Sequence, residues 1–574
     1  RLPEGPKIMK SIRNALILGL LSTTNSSWSQ EIPDTHIAFP IGVTQDGDPI
    51  PAWLPKDGLN VNSPKKHILL VAGLGEKKSA DAVKQAIHQL QDLPNSESYS
   101  FAAILDANPG NHPSVEYPPK GRAYNDKTNP AAIYLWRFIG TYGPDLVIDL
   151  RLGGDTPRIR MGKRSGGIDK ALAKAIKAET NSLPDGALAS ALWRENPAEV
   201  GSIPAIQLET GKLKTIQAIT DLLPKLNNIN NNGLPYSQAR LQLQARSKRK
   251  PIETARILAA TYGNNPAPQY IPALALVGRL RLAEITGTAS HQAHVASLLQ
   301  PYANGQKNPL SKGLSGNNLA GHLAIAELAF REENSAHARL VEAAAQLAHE
   351  SRKSPQDPVS GHKEMSDSVF MACPILAAAH ALTGKPEFLE DCRAHLRYMQ
   401  KICLRKDGLY RHSPQDEAAW GRGNGFPALG MALTLTYLPE DAPGRVEFLN
   451  AYRNHMKALA KHQDATGMWH QVVDHPESYR EMTVTCMTTF AMARGVRKGW
   501  IDAKTYSPHI HKAWTAINQR INTDGRLIDV CTSTGKQKNL RGYLNRTAIL
   551  GNDSRGGAMA LLAATEVADL IHHN

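Results

Sequence analysis

The sequence predicts a multidomain protein with an N-terminal α/β domain, built on a mostly parallel sheet, and a C-terminal all-α domain, an (α/α)6 toroid. In residues 65–210, short apolar runs alternate with helical stretches, which is the pattern of an α/β domain. From Pro251 onward the apolar periodicity is helical, and polar glycine-rich loops recur about every 50 residues, the length of a helical hairpin. The length of 574 residues exceeds what one hydrophobic core usually serves, so two domains are expected.

Residues 9–29 have the features of a secretory signal peptide. Lys10 and Arg13 come first, the apolar run ALILGLL follows, and small residues surround Trp28 just before Gln30. The apolar run is shorter than the roughly 20 residues that a membrane-spanning helix needs. We therefore expect an exported protein, periplasmic or extracellular, without membrane association once the signal is removed.

Residues 30–248 are predicted to form the α/β domain. The apolar runs HILLVAGL, SFAAILDANPG, DLVIDLRLGG and AIQLETG are typical of strands, and DAVKQAIHQL and AAIYLWRFIG are typical of helices. The asparagine-rich stretch LNNINNNG and the basic run ARSKRKP end this half. The change of pattern places the domain boundary near residue 248.

Residues 249–574 contain two kinds of predicted helix. One kind is small and apolar on all sides, as in SVFMACPILAAAHALTG, GFPALGMALTLTYL, TVTCMTTFAMARGV and GGAMALLAATEVADLI. The other is amphipathic, as in EFLEDCRAHLRYMQKIC, and is suited to cover the first kind. At the observed spacing about six helical hairpins fit, so we expect an inner ring inside an outer ring, with the connecting loops open at one end.

The charge and the cysteines limit the partners and cofactors. The formal net charge of +14 favours an acidic partner, and no nucleic-acid-binding motif accompanies it, so we expect no nucleic acid. All five cysteines lie in the C-terminal half without CxxC spacing, which disfavours a disulfide framework and a structural zinc site. We expect them to be buried, and we predict no cofactor. The sequence does not indicate an oligomeric state.

Several loops of the helical half carry side chains suited to an acidic sugar. Carboxylates supply general acid and base, arginine and histidine bind anionic groups, and aromatic rings offer flat faces to sugars. The candidates are Asp367, His412, Asp416, Trp420, Arg422, Asn424, Trp469, His470, Gln471, Tyr543 and Arg555. The run DEAAWGRGNG at residues 416–425 is too polar and glycine-rich to continue a helix, so we expect a loop there. Ordinary interpretations remain open, because an aspartate at a helix start is commonly a cap and a buried tryptophan is commonly core.

Six ordered segments of the helical half carry a family resemblance. They are SDSVFMACPILAAAHALTG, DGLYRHSPQDEAAWGRGNGFPALGMAL, GMWHQVVD, EMTVTCM, DGRLIDVCTSTG and NDSRGGAMALLAATE, within residues 310–572. Together they resemble the unsaturated uronyl hydrolases of glycoside hydrolase families 88 and 105, with the rhamnogalacturonyl branch the nearer. The resemblance implies an (α/α)6 barrel, Asp416 as the catalytic acid and Asp367 as a second acid. Because Glu417 adjoins Asp416, the choice between those two stays open.

The resemblance also implies a reaction and a substrate. The family removes the 4,5-unsaturated uronic acid that polysaccharide lyases leave at the non-reducing end of an acidic oligosaccharide. A carboxylic acid protonates C4 of the vinyl ether, water adds at C5, and the resulting hemiketal collapses and releases the aglycone. Because cleavage follows hydration, the carboxylate spacing that separates inverting from retaining glycosidases does not apply. The polysaccharide of origin is not indicated.

The N-terminal half resembles a different family. HILLVAGLGEKKSADAVKQAI, ILDANPGN, YPPKGRAYNDKTNPAAIYLWRFI, PDLVIDLR and AIQLETG together resemble zinc carboxypeptidases of the succinylglutamate-desuccinylase type. Glu76 matches a zinc ligand and Glu209 matches the base, but the first-motif histidine is missing and Arg151 stands where the second belongs. Arginine is cationic and offers no lone pair to a metal. We therefore expect a non-catalytic domain without metal.

Three other functions remain possible on the sequence. The chain would be a metallo-carboxypeptidase with a helical accessory domain if it held zinc, and a non-catalytic carbohydrate-binding protein if Asp416 were unreactive. An (α/α) polysaccharide lyase or epimerase is a third possibility, since toroids of this kind host all of these activities. A lyase usually needs a tyrosine or histidine base, whereas the candidate residues are centred on carboxylates.

Overall fold

The structure, a computed structural model, describes residues 32–573 apart from 76–78, 91–95, 111–114, 120–128, 155, 163–166, 176, 178, 196, 212–214, 227–232, 333–334 and 534. The predicted signal peptide and Glu76 lie outside the described residues. Within these ranges, no helix combines the length and the apolar character needed to cross a bilayer.

The described part of the N-terminal half forms an eight-stranded sheet in the order β1-β2-β4-β3-β5-β8-β6-β7. Its central strands β4, β3, β5 and β8 are parallel, as predicted, while β1, β2 and the β6–β8 pairing are antiparallel. The sequence pattern missed the edge strands β1, β2, β6 and β7. The strands are β1 His36–Ala38, β2 Ala52–Pro55, β3 Lys66–Val71, β4 Tyr99–Ile104, β5 Leu146–Leu152, β6 Arg158–Met161, β7 Glu179–Ser182 and β8 Ala205–Thr210.

Helices cover this sheet and lead into the second half. They are α1 Ser79–Leu90, α2 Pro130–Tyr142, α3 Gly167–Ala175, α4 Leu188–Arg194, α5 Thr215–Leu226 and α6 Gln238–Lys248. Helix α6 contacts both halves, because Arg240 donates to the carbonyl of Ser63 and Arg246 donates to the carbonyl of Gln519. The domain boundary near residue 248 stays a prediction.

Among the described residues, the C-terminal half arranges its long helices in two concentric rings, which confirms the predicted all-α toroid. The inner ring comprises α8 Tyr270–Thr286, α10 Gly316–Ala320 with α11 Leu323–Glu332, α13 Ser368–Thr383, α15 Gly421–Tyr437, α17 Met482–Arg497 and α20 Ser554–His573. The outer ring comprises α7 Pro251–Tyr262, α9 Ala289–Ala303, α12 Ser335–Glu350, α14 Pro386–Cys403, α16 Arg445–Ala460 and α18 Ala503–Gln519. Two small hairpins, β9 Trp469–His470 with β10 Arg480–Glu481 and β11 Leu527–Cys531 with β12 Ala548–Gly551, and the short helix α19 Leu540–Leu544 complete this half.

The burial of these helices follows from their composition. Helix α13 is apolar on all sides and lies between α15 and the outer helices, whereas α14 buries the residues that the amphipathic pattern selects, including Phe388, Leu396 and Met399. All five cysteines are buried and free, as expected for small apolar residues.

The GRGNG sequence is the first turn of helix α15, and the predicted loop there is wrong. Close packing explains the glycines, because a Cβ on Gly421 would lie 2.6 Å from the carbonyl oxygen of His470 and one on Gly425 would lie 2.5 Å from Met487 Cε. Each glycine costs the helix about 1 kcal/mol relative to alanine, which the surrounding contacts outweigh.

The two halves share one hydrophobic core at the loop end of the toroid. Aromatic residues of the N-terminal half pack in the same buried cluster as Trp420, Tyr479 and Tyr543 of the C-terminal half. The rings of Tyr134, on α2, and Tyr479 lie 6.3 Å apart. The N-terminal domain therefore lies against the loops that carry the candidate site.

Candidate active site

Asp367 lies at the start of α13, but it does not cap the helix. Its backbone is helical (φ −50°, ψ −27°), and its side chain makes no capping hydrogen bond. The carboxylate is buried, and Oδ1 makes no hydrogen bond within the described part of the chain. The ordinary interpretation as an N-cap is therefore wrong, and a buried carboxylate oxygen is left for another partner.

His412 lies between Asp367 and an aromatic residue of a distant loop. Its Nε2 is 3.4 Å from Asp367 Oδ1, without hydrogen-bond geometry, and its Nδ1 is 2.9 Å from the hydroxyl of Tyr543. Tyr543 therefore fixes the orientation of the imidazole, and Nε2 faces the carboxylate.

Asp416 and Glu417 point to different places. Asp416 is half-buried, and its Oδ1 accepts a hydrogen bond of 2.8 Å from the backbone N–H of Ala418. Burial raises the pKa of the Tyr543 phenol, and the charges of Asp416 and Asp367 act on the same group. Glu417 is exposed and forms an ion pair with Arg411. Asp367 is thus linked to Tyr543 through His412, the charge of Asp416 acts on the Tyr543 phenol, and Glu417 lies on the surface.

Trp420 and Arg546 form the next layer of this cluster. The Trp420 ring is fully buried, with its centroid 4.4 Å from that of His412, and the Arg546 guanidinium lies 4.7 Å from the Trp420 ring centre. The indole Nε1 and one terminal nitrogen of Arg546 make no hydrogen bond in the described residues. Sequence reasoning missed Arg546, because nothing in its local sequence distinguishes it from a surface arginine.

Arg422 and Asn424 hold the loops together. Arg422 donates to the hydroxyl of Thr483 (2.8 Å) and to the carbonyl of Ser533 (2.9 Å). The Asn424 side chain bonds both the N–H and the carbonyl of Tyr410, each at 2.8 Å. Both side chains are fully buried in these contacts, so the structure gives them a part in shaping the site.

The three candidates in and next to strand β9 have different surroundings. Trp469 is fully buried in the toroid core and donates its Nε1–H to the carbonyl of Leu459, which is the ordinary interpretation of a core tryptophan. Burial and Arg480 lower the pKa of His470 to about 4, so this imidazole is neutral at pH 7. Gln471 reaches the cluster, because its Nε2 donates to the carbonyl of Tyr543 (3.2 Å), while its Oε1 has no partner among the described residues.

Arg555 lies at the start of α20, partly exposed and 3.1 Å from Asp553. Burial raises the pKa of the Tyr270 phenol, and the charges of Arg422, Asp367 and Arg555 also act on it. The charges of Asp367 and Arg555 thus act on one phenol. Tyr270 is a second residue that the sequence did not reveal, because it begins a helix far from the other candidates in the chain.

The cluster is marked by polar atoms that are buried but unsatisfied. Five such atoms belong to residues linked by the contacts above and make no hydrogen bond in the described part of the chain: Asp367 Oδ1, His412 Nε2, Trp420 Nε1, Gln471 Oε1 and Arg546 Nη1. Because a buried polar group normally has a partner, a concentration of exceptions indicates a place where a polar ligand binds. Acceptors and donors are both present, as a sugar acid requires.

A profile of Glycosyl Hydrolase Family 88 matches residues 247–571, more than half of the chain. The protein belongs to this family. Among the curated relatives of this family 88 protein, the unsaturated 3S-rhamnoglycuronyl hydrolase of Formosa agariphila is 28% identical over 181 residues, covering 28% of this chain and 48% of the relative. The unsaturated rhamnogalacturonyl hydrolase of Bacillus subtilis is 30% identical over 142 residues, covering 24% of this chain and 39% of the relative. The match thus spans less than half of each relative.

A solved structure supports the fold. A possible member of the GH105 family from Klebsiella pneumoniae superposes with a TM-score of 0.50 at 22% identity, covering 57% of this chain and 93% of that one. This likeness shows that the family 88 domain has the all-α toroid fold.

In the N-terminal domain of this family 88 protein, arginine–carboxylate ion pairs occupy the positions that resemble the metal and base positions of a zinc carboxypeptidase. Arg151 pairs with the buried Asp149 through two hydrogen bonds, at 2.8 and 3.0 Å, and Glu209 pairs with Arg160 at 2.9 Å. Both carboxylates are thus engaged by arginine. Among the described residues, no group of three or more His, Cys, Asp or Glu is arranged to hold a metal ion.

Proposed function

We propose that this family 88 protein removes the 4,5-unsaturated uronic acid from the non-reducing end of polysaccharide-lyase products by hydrating the vinyl ether. The observation that carries the proposal is the group of unsatisfied polar atoms around Asp367, His412 and Arg546, inside a family 88 domain. The two curated relatives, an unsaturated 3S-rhamnoglycuronyl hydrolase and an unsaturated rhamnogalacturonyl hydrolase, support the same substrate class.

Two carboxylates divide the chemistry. One, as the acid, gives its proton to C4, while the other takes a proton from the water that adds at C5. The C5–O5 bond of the hemiketal then breaks, so the oxygen of the added water becomes the C5 ketone oxygen and the ring oxygen becomes a hydroxyl on C1. The resulting hemiacetal breaks its bond to the aglycone, which leaves with a proton, and C1 becomes an aldehyde. The family resemblance gives the proton to Asp416, but the geometry favours Asp367, because its Oδ1 is buried and unengaged whereas Asp416 Oδ1 already accepts from Ala418.

The other residues bind and orient the substrate. Arg546, which lies over the Trp420 ring with one terminal nitrogen unbonded in the described residues, and Arg555, at the start of α20, are suited to the uronate carboxyl group. His412, held by Tyr543, directs Nε2 toward the reacting ring, and Gln471 Oε1 accepts from a sugar hydroxyl. Arg422 and Asn424 position the loops.

The direct test uses the ultraviolet absorbance of the conjugated enol ether, which hydration removes. Purified full-length protein is mixed with lyase digests of pectin, glycosaminoglycan and ulvan, and loss of absorbance is followed. We expect loss with at least one digest, and the digest that responds identifies the polysaccharide. Stable absorbance with all of them, under conditions where a known uronyl hydrolase acts, would rule out the activity.

Salt is expected to affect substrate capture more than turnover. If the positive charge attracts the acidic oligosaccharide, raising the ionic strength increases KM and leaves kcat nearly constant, because ions screen the attraction between exposed charges. The measurement is a series of initial rates at increasing sodium chloride concentration. A KM that does not change with salt would show that the positive charge has no part in capture.

Zinc is expected to have no role. Because Arg151 and Arg160 engage the carboxylates at the carboxypeptidase-like positions, we predict that purified protein carries no stoichiometric zinc and that chelators leave hydration activity unchanged. Elemental analysis and assays with and without a chelator check both points. Tight one-to-one zinc binding would instead support a metallo-carboxypeptidase.

We also propose export, on the basis of the signal-like residues 9–29. Sequencing the N-terminus of the protein recovered outside the cytoplasm tests this, and cleavage just before Gln30 is the expected result.

A further inference from the structure

A cavity of about 670 Å³ lies between the two domains. The N-terminal domain contributes helix α2 and residues 56–63, and the toroid contributes strand β10 and helix α18. Among the described residues, its lining includes none of the carboxylates and unsatisfied atoms of the candidate active site. Its volume falls within the roughly 300–1,000 Å³ of small-molecule sites, which often lie at domain interfaces.

Buried charge in this cavity is not balanced. Arg137 on α2 and Arg520 after α18 both bond the one carboxylate of Asp529, at 2.8 and 2.9 Å. All three side chains are at least 94% buried and line the cavity. Two guanidiniums thus share one negative charge, which leaves one positive charge beside the cavity.

Neighbouring groups do not remove this excess. Arg480, which also lines the cavity, is already paired with Asp464, so that pair adds no net charge. His470 faces Asp464 as well, but it is neutral because burial and Arg480 lower its pKa to about 4. At the rim, Lys56 and Lys512 are exposed and add positive charge, while Asp57 is paired with Lys65.

Asp529 has an unusual backbone conformation. The residue has a left-handed conformation (φ 70°) at a register shift in the hairpin of β11 and β12. Such a bulge redirects a side chain, and a left-handed conformation of a non-glycine residue persists only where the surrounding structure imposes it. The strained position aims the carboxylate at the two arginines of the cavity wall.

The remaining wall is suited to a sugar. Tyr134, Phe138 and Tyr142 supply aromatic surface from the N-terminal side, while the Arg480 guanidinium lies over the Phe39 ring at 3.6 Å. Thr466, Thr515 and Gln519 supply neutral hydrogen-bonding groups from the toroid side. Aromatic rings beside hydroxyl and amide groups, with an excess of positive charge, match a saccharide that carries anionic groups.

We infer that the interdomain cavity is a second, non-catalytic binding site for an oligosaccharide bearing carboxylate or sulfate groups. The anionic group binds beside Arg137 and Arg520, and the sugar rings lie along the aromatic wall. The N-terminal domain thereby takes part in holding acidic saccharides without catalysing a reaction.

Calorimetric titration of the full-length protein tests this with saturated oligosaccharides, which lack the vinyl ether and so do not depend on the proposed hydrolysis. The probes are a saturated tetragalacturonate for carboxylate, a saturated sulfated galactan tetrasaccharide for sulfate, and cellotetraose as the neutral sugar. We expect at least one acidic probe to bind and cellotetraose not to bind. Equal binding by sodium sulfate alone, or by polyglutamate, would overturn the saccharide assignment.

Variants locate the site. Arg520→Met leaves Arg137 and Asp529 as a balanced pair, so we expect the fold to persist and the affinity for the acidic probe to fall about tenfold or more, the loss typical of a hydrogen bond to a charged group. Lys512→Ala, at the exposed rim, is expected to weaken binding severalfold without affecting folding. Lys504→Ala, an exposed lysine on the same helix but outside the cavity, is the matched control and should bind like wild type.

The two possible failures can be told apart. Wild-type affinity in both Arg520→Met and Lys512→Ala would overturn the interdomain site, whatever the hydrolytic activity. Loss of hydrolysis in Asp367→Asn with intact binding of the saturated probe would support both proposals, because the two sites are separate.

Discussion

Asp367→Asn is expected to lower kcat by about 10²–10⁴-fold, the usual contribution of general acid–base catalysis, with little change in KM. The amide preserves the shape of the side chain, and because Oδ1 makes no hydrogen bond in the described residues, the substitution breaks none there. Rates on the responsive lyase digest measure the effect, and circular dichroism verifies the fold.

Two neighbouring substitutions sharpen this test. Asp416→Asn is expected to reduce kcat as well, but less than Asp367→Asn, because Asp416 is half-exposed and one of its oxygens accepts from Ala418. Glu417→Gln is the matched control, since that side chain pairs with Arg411 at the surface. If Asp416→Asn were the more damaging, the proton donor would be Asp416, and if both aspartate variants kept the wild-type rate, the cluster would not be the catalytic site.

Glu566→Gln is expected to be the most destabilising single substitution considered for the toroid, by about 3–5 kcal/mol in the free energy of unfolding. The fully buried carboxylate of Glu566 pairs with Arg494 (2.6 Å), Arg281 (2.7 Å) and Arg497 (3.0 Å). Burial alone would raise its pKa, but these arginines lower it overall. Removing the charge leaves buried guanidiniums with less compensation. Denaturant unfolding curves of the variant and the wild type give the difference.

An exposed ion pair on the same ring of helices provides the comparison. Glu284 pairs with Arg331 at 3.0 Å, but its side chain is 60% exposed. Glu284→Gln should therefore change the free energy of unfolding by no more than about 1 kcal/mol. Because the pKa of Glu566 is depressed in the folded state, this carboxylate contributes to the free energy of unfolding above the ordinary carboxyl pKa near 4.5. The contribution is lost progressively as the pH falls from there through the lower pKa of the folded state. Equal losses in the two variants would contradict the argument.

The two rings of helices were predictable because the apolar residues of each helix show which of its faces are buried. A helix such as α13, apolar on all sides, must be covered on all sides, and the stripe on α14 shows which face does the covering. The parallel centre of the sheet was predictable for a similar reason, since strands buried on both faces are apolar throughout. Edge strands such as β7, which is exposed along its length, carry no such signal.

The candidate site was predictable only in part. Asp367, His412 and Asp416 carry chemistry in their side chains and lie in recognisable segments, so the sequence identified them. Helix propensity did not predict that GRGNG begins helix α15. Glycine is needed there because His470 and Met487, from another part of the chain, pack closely against Gly421 and Gly425. Tyr270 and Arg546 were missed because only the folded toroid brings Arg546 onto the Trp420 ring and Tyr270 within the influence of the Asp367 charge.

The shared aromatic core has a consequence for how the molecule unfolds. Trp420 and Tyr543 are buried together with Tyr134 and Trp136. If either domain unfolds, the aromatic surface that it covers on the other domain becomes exposed to water. Calorimetric melting is then a single cooperative transition, and a separately produced toroid would self-associate through the uncovered rings. Substitutions on the toroid-facing side of α2 are therefore expected to disturb this shared core, so the N-terminal domain is constrained by the surface it covers.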